Sequence, residues 1–308
     1  MGNLGALLEG ALQSLASVSP WLLLVAVVLH LAKVAAEARA WHGIVAHAHD
    51  GPAVPFRTVL AAFVGSIGAN AVLPARVGEA FRVGVLRRHL PGSSVATIVA
   101  TIALEALIEV IFAVAVVVAA LLAGRSIGPL GSPIGAVIHN PIVLGCIAAV
   151  LIAGGVAVVV FRSGARSLAR RMARGFAVLR APRALGRVCS WKAAAWTLRI
   201  ASVAVFLLAF HIPATPWTVL VVLAAQNVAA ALPIAPGNAG TQQAALSVAM
   251  AGMTSTTAIL GFGVGMQAAT VLADVVVGAV AIAVVAGGRD LRAALTTLRR
   301  RRAPAVGS

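Results

Sequence analysis

The chain has 308 residues, of which 61% are hydrophobic and only 10% are charged, and its formal net charge is +16. A soluble domain is about half apolar and about a quarter charged, so this composition excludes a soluble globular enzyme, a disordered protein and a fibrous one. Apolar runs of the roughly 20 residues that a membrane-spanning helix needs predict an integral membrane protein, whereas the alternating pattern of a transmembrane barrel does not occur.

The first part of the chain predicts an interfacial helix, one span and one short apolar run. Residues 4–17 are mildly amphipathic and fit a helix that lies at the membrane interface. Residues 21–41 form the first span. The loop that follows it contains His47, His49, Pro52 and Pro55. Residues 58–73 are apolar but short for a span, and Pro74 ends the run.

The rest of the chain alternates long spans with loops. A second short run, residues 217–232, is ended by Pro233 and Pro236. Residues 162–187 are the most basic stretch and are expected to lie on anionic lipid. Further spans are predicted at residues 93–123, 142–161, 191–210 and 257–286.

The distribution of arginine predicts the orientation. By the positive-inside rule, residues 39–57, residues 162–187 and the basic tail 289–308 are cytoplasmic, and residues 124–140 are external. Arginines on both sides of residues 58–90 then belong to the cytoplasm, so this segment is predicted to be a re-entrant hairpin. Non-helical backbone at membrane depth is tolerated where it is buried in protein or lines a wet cavity, which makes the hairpin tip a candidate site.

A second hairpin has the same spacing as the first. Gly78 follows Pro74 by four residues, and Gly237 follows Pro233 by four. This pattern predicts an inverted repeat, residues 20–124 and 190–288, joined by a linking span at 140–162. Paired broken segments in two inverted halves indicate a transport site. The alternative is chance recurrence in a chain rich in Ala, Gly and Val.

The sequence therefore predicts an all-α polytopic membrane protein. It has two re-entrant or broken helical hairpins and eight apolar helical segments, counting the hairpin arms. Residues 1–288 form a single transmembrane domain, and residues 289–308 form the tail.

The first hairpin has a stripe of charged side chains. Arg76, Glu79 and Arg82 recur every third residue and share one helix face. Because arginine binds phosphate bidentately, the stripe is interpreted as a lipid head-group site in which Glu79 orients the arginines. The helix N-terminus there adds its dipole. The alternative is a structural ion pair that closes the tip.

Acidic residues recur inside the spans. Glu105 and Glu109 lie one helical turn apart, and each needs a proton or a cationic partner, for which Arg76, Arg82, Lys33 and Arg199 are candidates. A proton or cation relay and simple charge pairing both remain open, with pairing favoured. Asp274 is the corresponding acid of the second repeat and belongs to the same predicted relay. Lys33, Glu37 and His30 either line the same polar cavity or lie at the cytoplasmic rim of the membrane, and His30 fits the rim better.

The second hairpin is polar but uncharged. Its amides, Gln226, Asn227, Asn238, Gln242 and Gln243, either bind a head group or cap broken helices, and no positive charge lies near its tip. No nucleotide loop, metal-ligand spacing or nucleophile elbow occurs in the sequence, so we expect no enzyme activity, cofactor or metal.

The two hairpins carry a resemblance to a known family. Around the first, the pattern Asn…Leu-Pro-x-Arg-x-Gly-Glu-x-x-Arg is met by Asn70, Leu73, Pro74, Arg76, Gly78, Glu79 and Arg82. The sequence resembles the lysylphosphatidylglycerol synthase transmembrane-region family, flippase-like membrane proteins related to the translocase half of the bacterial multiple-peptide-resistance factor. The family's Glu-Arg-x-x-Asp motif corresponds to residues 105–109, with Ala106 in place of the arginine.

The second family motif departs more. It is matched by Pro233, Pro236, Gly237 and Gly240, whereas Asn238 stands for a glycine, Gln243 for a glutamate, and Gln267 for the arginine of the last helix. The resemblance covers about residues 15–288 and implies the membrane half alone, without aminoacyl transfer.

Two functions follow from these patterns. The first is translocation of a lipid or lipid-linked head group across the bacterial cytoplasmic membrane, without an ATP site. The second is a non-transporting subunit or scaffold for a separate synthase or glycosyltransferase. Expected partners are a membrane phospholipid or lipid-linked substrate and anionic lipid at the basic loop. Nucleic acid is not expected.

Overall fold

The secondary structure of the described residues is helical. The computed structural model describes residues 17–49, 53–73, 77–90, 92–126, 172–231 and 238–302. Besides a 3₁₀ turn at Ala177–Arg180, the helices in these residues include α1 (Pro20–Ala48), α2 (Phe56–Val72), α3 (Val77–His89), α4 (Val95–Ser126), α5 (Pro182–Ala209), α6 (Pro216–Ala231), α7 (Thr241–Ala249) and α8 (Thr256–Arg302).

The all-α prediction is confirmed, and four helices are long and apolar enough to span a membrane. Within the described residues these spans are Pro20–Ala48, Val95–Val116, Pro182–Ala209 and Thr256–Val285, with shorter apolar helices at Phe56–Val72 and Pro216–Ala230. The expected interfacial helix at 4–17 and the linking span at 142–161 lie outside the described residues.

Two helix ends differ from the sequence prediction. The loop expected to hold His47 begins later, because α1 continues to Ala48 and His47 bonds back to the carbonyl of Gly43. Buried Ile44 and Val45 prolong the packed face of this helix beyond the polar residues that suggested its end. Helix α5 likewise begins at Pro182, inside the stretch that the sequence assigned to a basic loop.

Helices α1 and α5 pack side by side in opposite directions. The backbone N–H of Ser19 donates to the carbonyl of Ala209 at 3.1 Å, and the Ser202 hydroxyl donates to the carbonyl of Ala26 at 2.9 Å. At the other end, a Cβ on Gly43 would lie 2.8 Å from a Val188 methyl. An apolar core lies at each end of this central pair. One core also contains residues of α2, α3 and α4, and the other contains residues of α6, α7 and α8.

Helices α2 and α3 form an antiparallel pair around the predicted break at Pro74. The Gly78 N–H donates to Asn70 Oδ1, and Arg82 Nε donates to Ser66 Oγ, both at 2.7 Å. Residues 74–76, which join the two helices, lie outside the described residues. Helices α6 and α7 also pack against each other in the second half.

In each half of the chain, a short apolar helix packs on a long helix of the other half. Helix α2 packs on α8, and α6 packs on α4. The α2–α8 contact is close enough to need glycine on both sides, because a Cβ on Gly68 would lie 2.8 Å from Gly278 Cα and 2.9 Å from the Asp274 carbonyl oxygen. This crossing fixes the position of α8 against the first helix pair.

Candidate functional site

A lysine with no exposed surface lies at the centre of the helices. Lys192 extends from α5, and its Nζ donates to Glu105 Oε1 at 2.6 Å and to Glu109 Oε2 at 2.8 Å. The two carboxylates lie one turn apart on α4, so a single ammonium group reaches both. Lys192 thereby neutralises the repulsion that two adjacent carboxylates would otherwise have.

Two arginines continue this arrangement on either side. Arg82 Nη1 lies 3.4 Å from Glu105 Oε2, and Arg199 Nη1 lies 3.6 Å from Glu109 Oε1. The result is a chain of alternating charges, which we call the charge chain: Arg82, Glu105, Lys192, Glu109 and Arg199. It contains three cations and two anions and links α3, α4 and α5.

The two arginines have matching surroundings. The Arg82 guanidinium lies over the rings of Phe63 and Trp41, 4.1 and 5.0 Å from their centroids, and its Nε donates to Ser66 on α2. The Arg199 guanidinium lies 4.8 Å from the centroid of Trp196, and its Nη2 donates to Gln226 Oε1 on α6 at 3.4 Å. Each arginine thus has an aromatic face, a neutral acceptor on a short apolar helix and one carboxylate of α4.

Further ion pairs flank the charge chain. Lys33 Nζ lies 3.1 Å from Glu37 Oε2 one turn along α1. The Glu37 carboxylate also attracts both Lys192 and Arg199 electrostatically. His30 Nε2 lies 2.9 Å from Asp274 Oδ1 and joins α1 to α8, so His30 has an interior partner where the sequence favoured the rim.

The first hairpin motif is divided between two sets of contacts. Asn70 accepts the Gly78 N–H and donates to Glu79 Oε2 at 3.4 Å, so it holds the start of α3 against α2. Arg82 meets Glu105 of α4, where the stripe had suggested Glu79 as its carboxylate. Arg76 lies outside the described residues.

The second hairpin motif is partly described. Asn238 has a φ of +59° and Gly240 a φ of +81°, both in the left-handed region. The Gly240 N–H donates to Gln243 Oε1 at 2.8 Å, which caps the first turn of α7, and Gln243 Nε2 donates to Gln267 Oε1 on α8. Pro233, Pro236 and Gly237 lie outside the described residues.

The comparison with protein families agrees with this architecture. The family model described as Lysylphosphatidylglycerol synthase TM region matches residues 5–278. The chain belongs to this family. It is therefore a multi-pass membrane protein with a flippase-like membrane domain, and the matched family region is the one that lacks the synthase catalytic domain. No curated protein and no solved structure matches the chain.

The structure explains how this family member accommodates its departures from the motifs. Gln243 and Gln267, which the sequence resemblance matches to a glutamate and an arginine, contact each other as a pair of neutral amides. Asn238 stands for a glycine in left-handed backbone, and asparagine is among the few residues that tolerate it. Ala106 is exposed on α4, on a different face from the charge chain.

Sequence reasoning missed the centre of the site. Lys192 was left unassigned, although it is one of only two lysines among the 24 basic residues, and that rarity beside a span was the available signal. The aromatic faces of Trp41, Phe63 and Trp196 were also missed, because their pairing with arginine depends on how helices pack. The structure does bring Arg82 and Arg199 to the predicted acids.

Proposed function

We propose that this protein translocates a lipid or a lipid-linked head group across the cytoplasmic membrane, without an ATP site of its own. The charge chain is the observation that carries the proposal. Isolated charges at membrane depth cost about 2.5–3.5 kcal/mol each on insertion scales, so polar groups there mark ion or substrate pathways. Here they connect the α2–α3 pair, through Arg82, with α6, through Arg199 and Gln226.

The packing supports an inverted repeat behind this activity. Helices α1–α4 and α5–α8 correspond in order, and each half has a short apolar helix that packs on the last long helix of the other half. Helices α1 and α5, the first of each half, pack on one another in opposite directions. In transporters built from inverted repeats the substrate site lies where the halves meet, which is where the charge chain lies.

The distribution of exposed arginines supports the proposed orientation. The bond from His49 Nδ1 to Ser93 Oγ, 2.7 Å, places the start of α4 beside the end of α1, and α5 begins at the same end of the molecule because it runs opposite to α1. This end carries the exposed residues Arg57, Arg87, Arg88, Arg183 and Arg187. We therefore place it, the anionic-lipid contacts and the C-terminus on the cytoplasmic side of a bacterial membrane.

A second candidate function is that of a non-transporting subunit or scaffold for a separate synthase or glycosyltransferase. The neutral Gln243–Gln267 contact favours it, because a site that needs charged groups on α7 and α8 for transport would lack them here. The charge chain favours translocation, since it is retained at the junction of the halves.

Reconstitution separates these functions. The purified chain is placed in vesicles with trace fluorescent phospholipids and glycolipids, and the fraction reached by an impermeant quencher is followed over time. Translocation predicts faster loss of inner-leaflet protection than in protein-free vesicles and in vesicles with an unrelated multi-pass protein. If, for every lipid, the rate with this protein equals the rate in the two control vesicles, translocation is refuted. The scaffold function then remains, and it predicts co-purification with a lipid-modifying enzyme.

A further inference from the structure

We infer that His30 and Asp274 form a proton-binding site, and that translocation is coupled to the uptake and release of one proton there. This inference rests on the proposed function and names the source of its energy. The pair joins α1 of the first half to α8 of the second and is separate from the charge chain. The proton comes from water on one side of the membrane and is released to water on the other, and no covalent bond of the lipid changes.

A histidine paired with a carboxylate between two spans is the first argument. His30 Nε2 lies 2.9 Å from Asp274 Oδ1, and the two side chains are 17% and 14% exposed. Histidine is the side chain that typically exchanges a proton between about pH 5 and pH 8. A neutral imidazole beside the Asp274 carboxylate leaves one negative charge in the membrane interior, where such a charge is costly. An imidazolium cancels it, so one proton decides the net charge of the pair.

The position of the pair is the second argument. Asp274 lies one turn before Gly278, where α8 crosses α2 at Gly68 with the two backbones in direct contact. Backbones that touch without side chains do not interlock at that point. The bond between His30 and Asp274 adds a polar connection that holds α8 against the first half. A change in its charge therefore acts where the two halves meet.

The link to the charge chain is the third argument. His30, Lys33 and Glu37 follow one another at helical spacing along one face of α1, and Lys33 Nζ lies 3.1 Å from Glu37 Oε2. When His30 loses its proton, the Asp274 carboxylate competes with Glu37 for Lys33. Glu37 also attracts Lys192 electrostatically. The proton on the pair thereby changes the field at the centre of the charge chain.

The other charged groups on the helices that pack on α1 and α8 have contacts or positions of their own within the described residues. The Arg39 guanidinium lies over the Phe56 ring. The exposed arginines lie at the end that we place in the cytoplasm: Arg57, Arg180, Arg183 and Arg187. The charges among the spans contact one another in the charge chain: Glu105, Lys192, Glu109 and Arg199. Lys33 is thus the charged group that can respond to the pair along α1.

The depth of the pair fits a proton taken from outside the cell. His30 is ten residues after Pro20 and 18 before Ala48, so it lies about 15 Å along the helix from the first end and about 27 Å from the second. The Pro20 end is the one that we place outside. A gradient that is acidic outside would therefore load the site by the shorter route.

The test follows labelled phosphatidylglycerol in vesicles that contain the purified protein, at one external pH. With the outside about two pH units more acidic than the lumen, we expect the wild-type protein to move the label at least about threefold faster than after an ionophore has collapsed the gradient. His30→Gln and Asp274→Asn should each move it equally fast in both conditions. Both variants keep a polar bond between α1 and α8, because glutamine donates and asparagine accepts, so their unfolding temperatures should stay near that of the wild type.

The matched control is His47→Gln, an exposed histidine on the same helix that bonds the carbonyl of Gly43. Its response to the gradient should stay within about twofold of the wild-type response. Equal loss in His47→Gln would overturn the inference, because it would trace the response to histidines in general. Lys33→Met tests the link to the charge chain and should lose the response while His30 still binds its proton. A gradient response that survives in Lys33→Met overturns that link.

The outcomes separate this inference from the proposed function. A wild-type rate that is the same with and without the gradient overturns the inference and leaves translocation standing, as does a response that survives in both His30→Gln and Asp274→Asn. If the wild-type protein moves no label, translocation is overturned and infrared difference spectra between about pH 6 and about pH 8 judge the site. An imidazole signal that His30→Gln lacks and His47→Gln keeps supports the proton site, and identical spectra overturn it. The same spectra judge a variant that moves no label.

Discussion

Lys192 on α5 and Glu105 on α4 meet at 2.6 Å, with the lysine side chain fully enclosed by protein. Lys192 also bonds Glu109, so one ammonium compensates two carboxylates that share a helix face. The contact ties α4 to α5 at the level where the two halves of the chain meet. Its consequence is that the helices of the site are held together by charge as well as by apolar packing.

Replacement of Lys192 by methionine should therefore destabilise the protein strongly. The change keeps a long apolar side chain but leaves Glu105 and Glu109 without their common partner, and removing one member of a buried ion pair costs about 3–5 kcal/mol. Thermal unfolding in detergent measures the effect. Lys33→Met is the control: this lysine is partly exposed and, within the described residues, forms its ion pair with Glu37, so a smaller loss is expected. Similar losses in both variants would contradict the central role of Lys192.

The Gly68–Gly278 crossing should tolerate no side chain. A Cβ on Gly68 would lie 2.8 Å from Gly278 Cα on α8, so Gly68→Ala must push the two helices apart. Overpacking of this kind costs about 1–3 kcal/mol. Gly84→Ala on α3 is the control, since a Cβ there meets nothing within 4 Å, and alanine should stabilise its helix by up to about 1 kcal/mol. Unfolding temperatures that fall equally in the two variants would show that the crossing is looser than the structure has it.

The parts of this architecture that depend on local sequence could be predicted. Helix α2 ends at Val72, as the proline two residues further along the sequence predicts, because proline lacks the N–H that a helix needs, and the apolar runs predict the spans. For Arg82 the sequence left both Glu79 and the acids of the next span as candidate partners. Its own helix offers Glu79, but α3 packs so that Arg82 meets Ser66 and Glu105, 23 residues away along the chain.

Lys192 illustrates the same limit more strongly. Its partner Glu105 lies 87 residues away, on a helix in the other half of the chain. Only the packing of α4 on α5 brings them together, and no periodicity within either helix encodes that contact. The Leu-Pro and glycine spacing from which the inverted repeat is predicted, in contrast, can be read directly in the sequence.

The Gln243–Gln267 contact should accept a pair of opposite charges. Gln243→Glu alone places a carboxylate beside an amide, and Gln267→Arg alone places an unpaired cation between α7 and α8, so each single change should lower the unfolding temperature. The double variant restores the glutamate and arginine that the family motif has at these positions, and it should recover most of the loss. A double-mutant cycle measures the coupling, which for residues in contact is about 0.5–3 kcal/mol. Additive losses would mean that the two side chains do not act on each other.

The α2–α3 pair should enter and leave the membrane on one side. Helix α2 has 17 residues and α3 has 13, and the two pack antiparallel through Asn70–Gly78 and Ser66–Arg82. With Cys146 and Cys189 changed to serine, we expect Arg57→Cys and Arg88→Cys to react with an impermeant maleimide only after the inner membrane is opened.

The control position for that experiment lies just after the C-terminal end of α5. Ala209 contacts Ser19 at the start of α1. The exposed Pro213 therefore lies at the end of the molecule away from the α1–α2 connection. Pro213→Cys should therefore react in intact cells, where Arg57→Cys and Arg88→Cys do not. If Arg57→Cys and Arg88→Cys react from opposite sides, the α2–α3 pair crosses the membrane. The predicted inverted repeat would then be wrong.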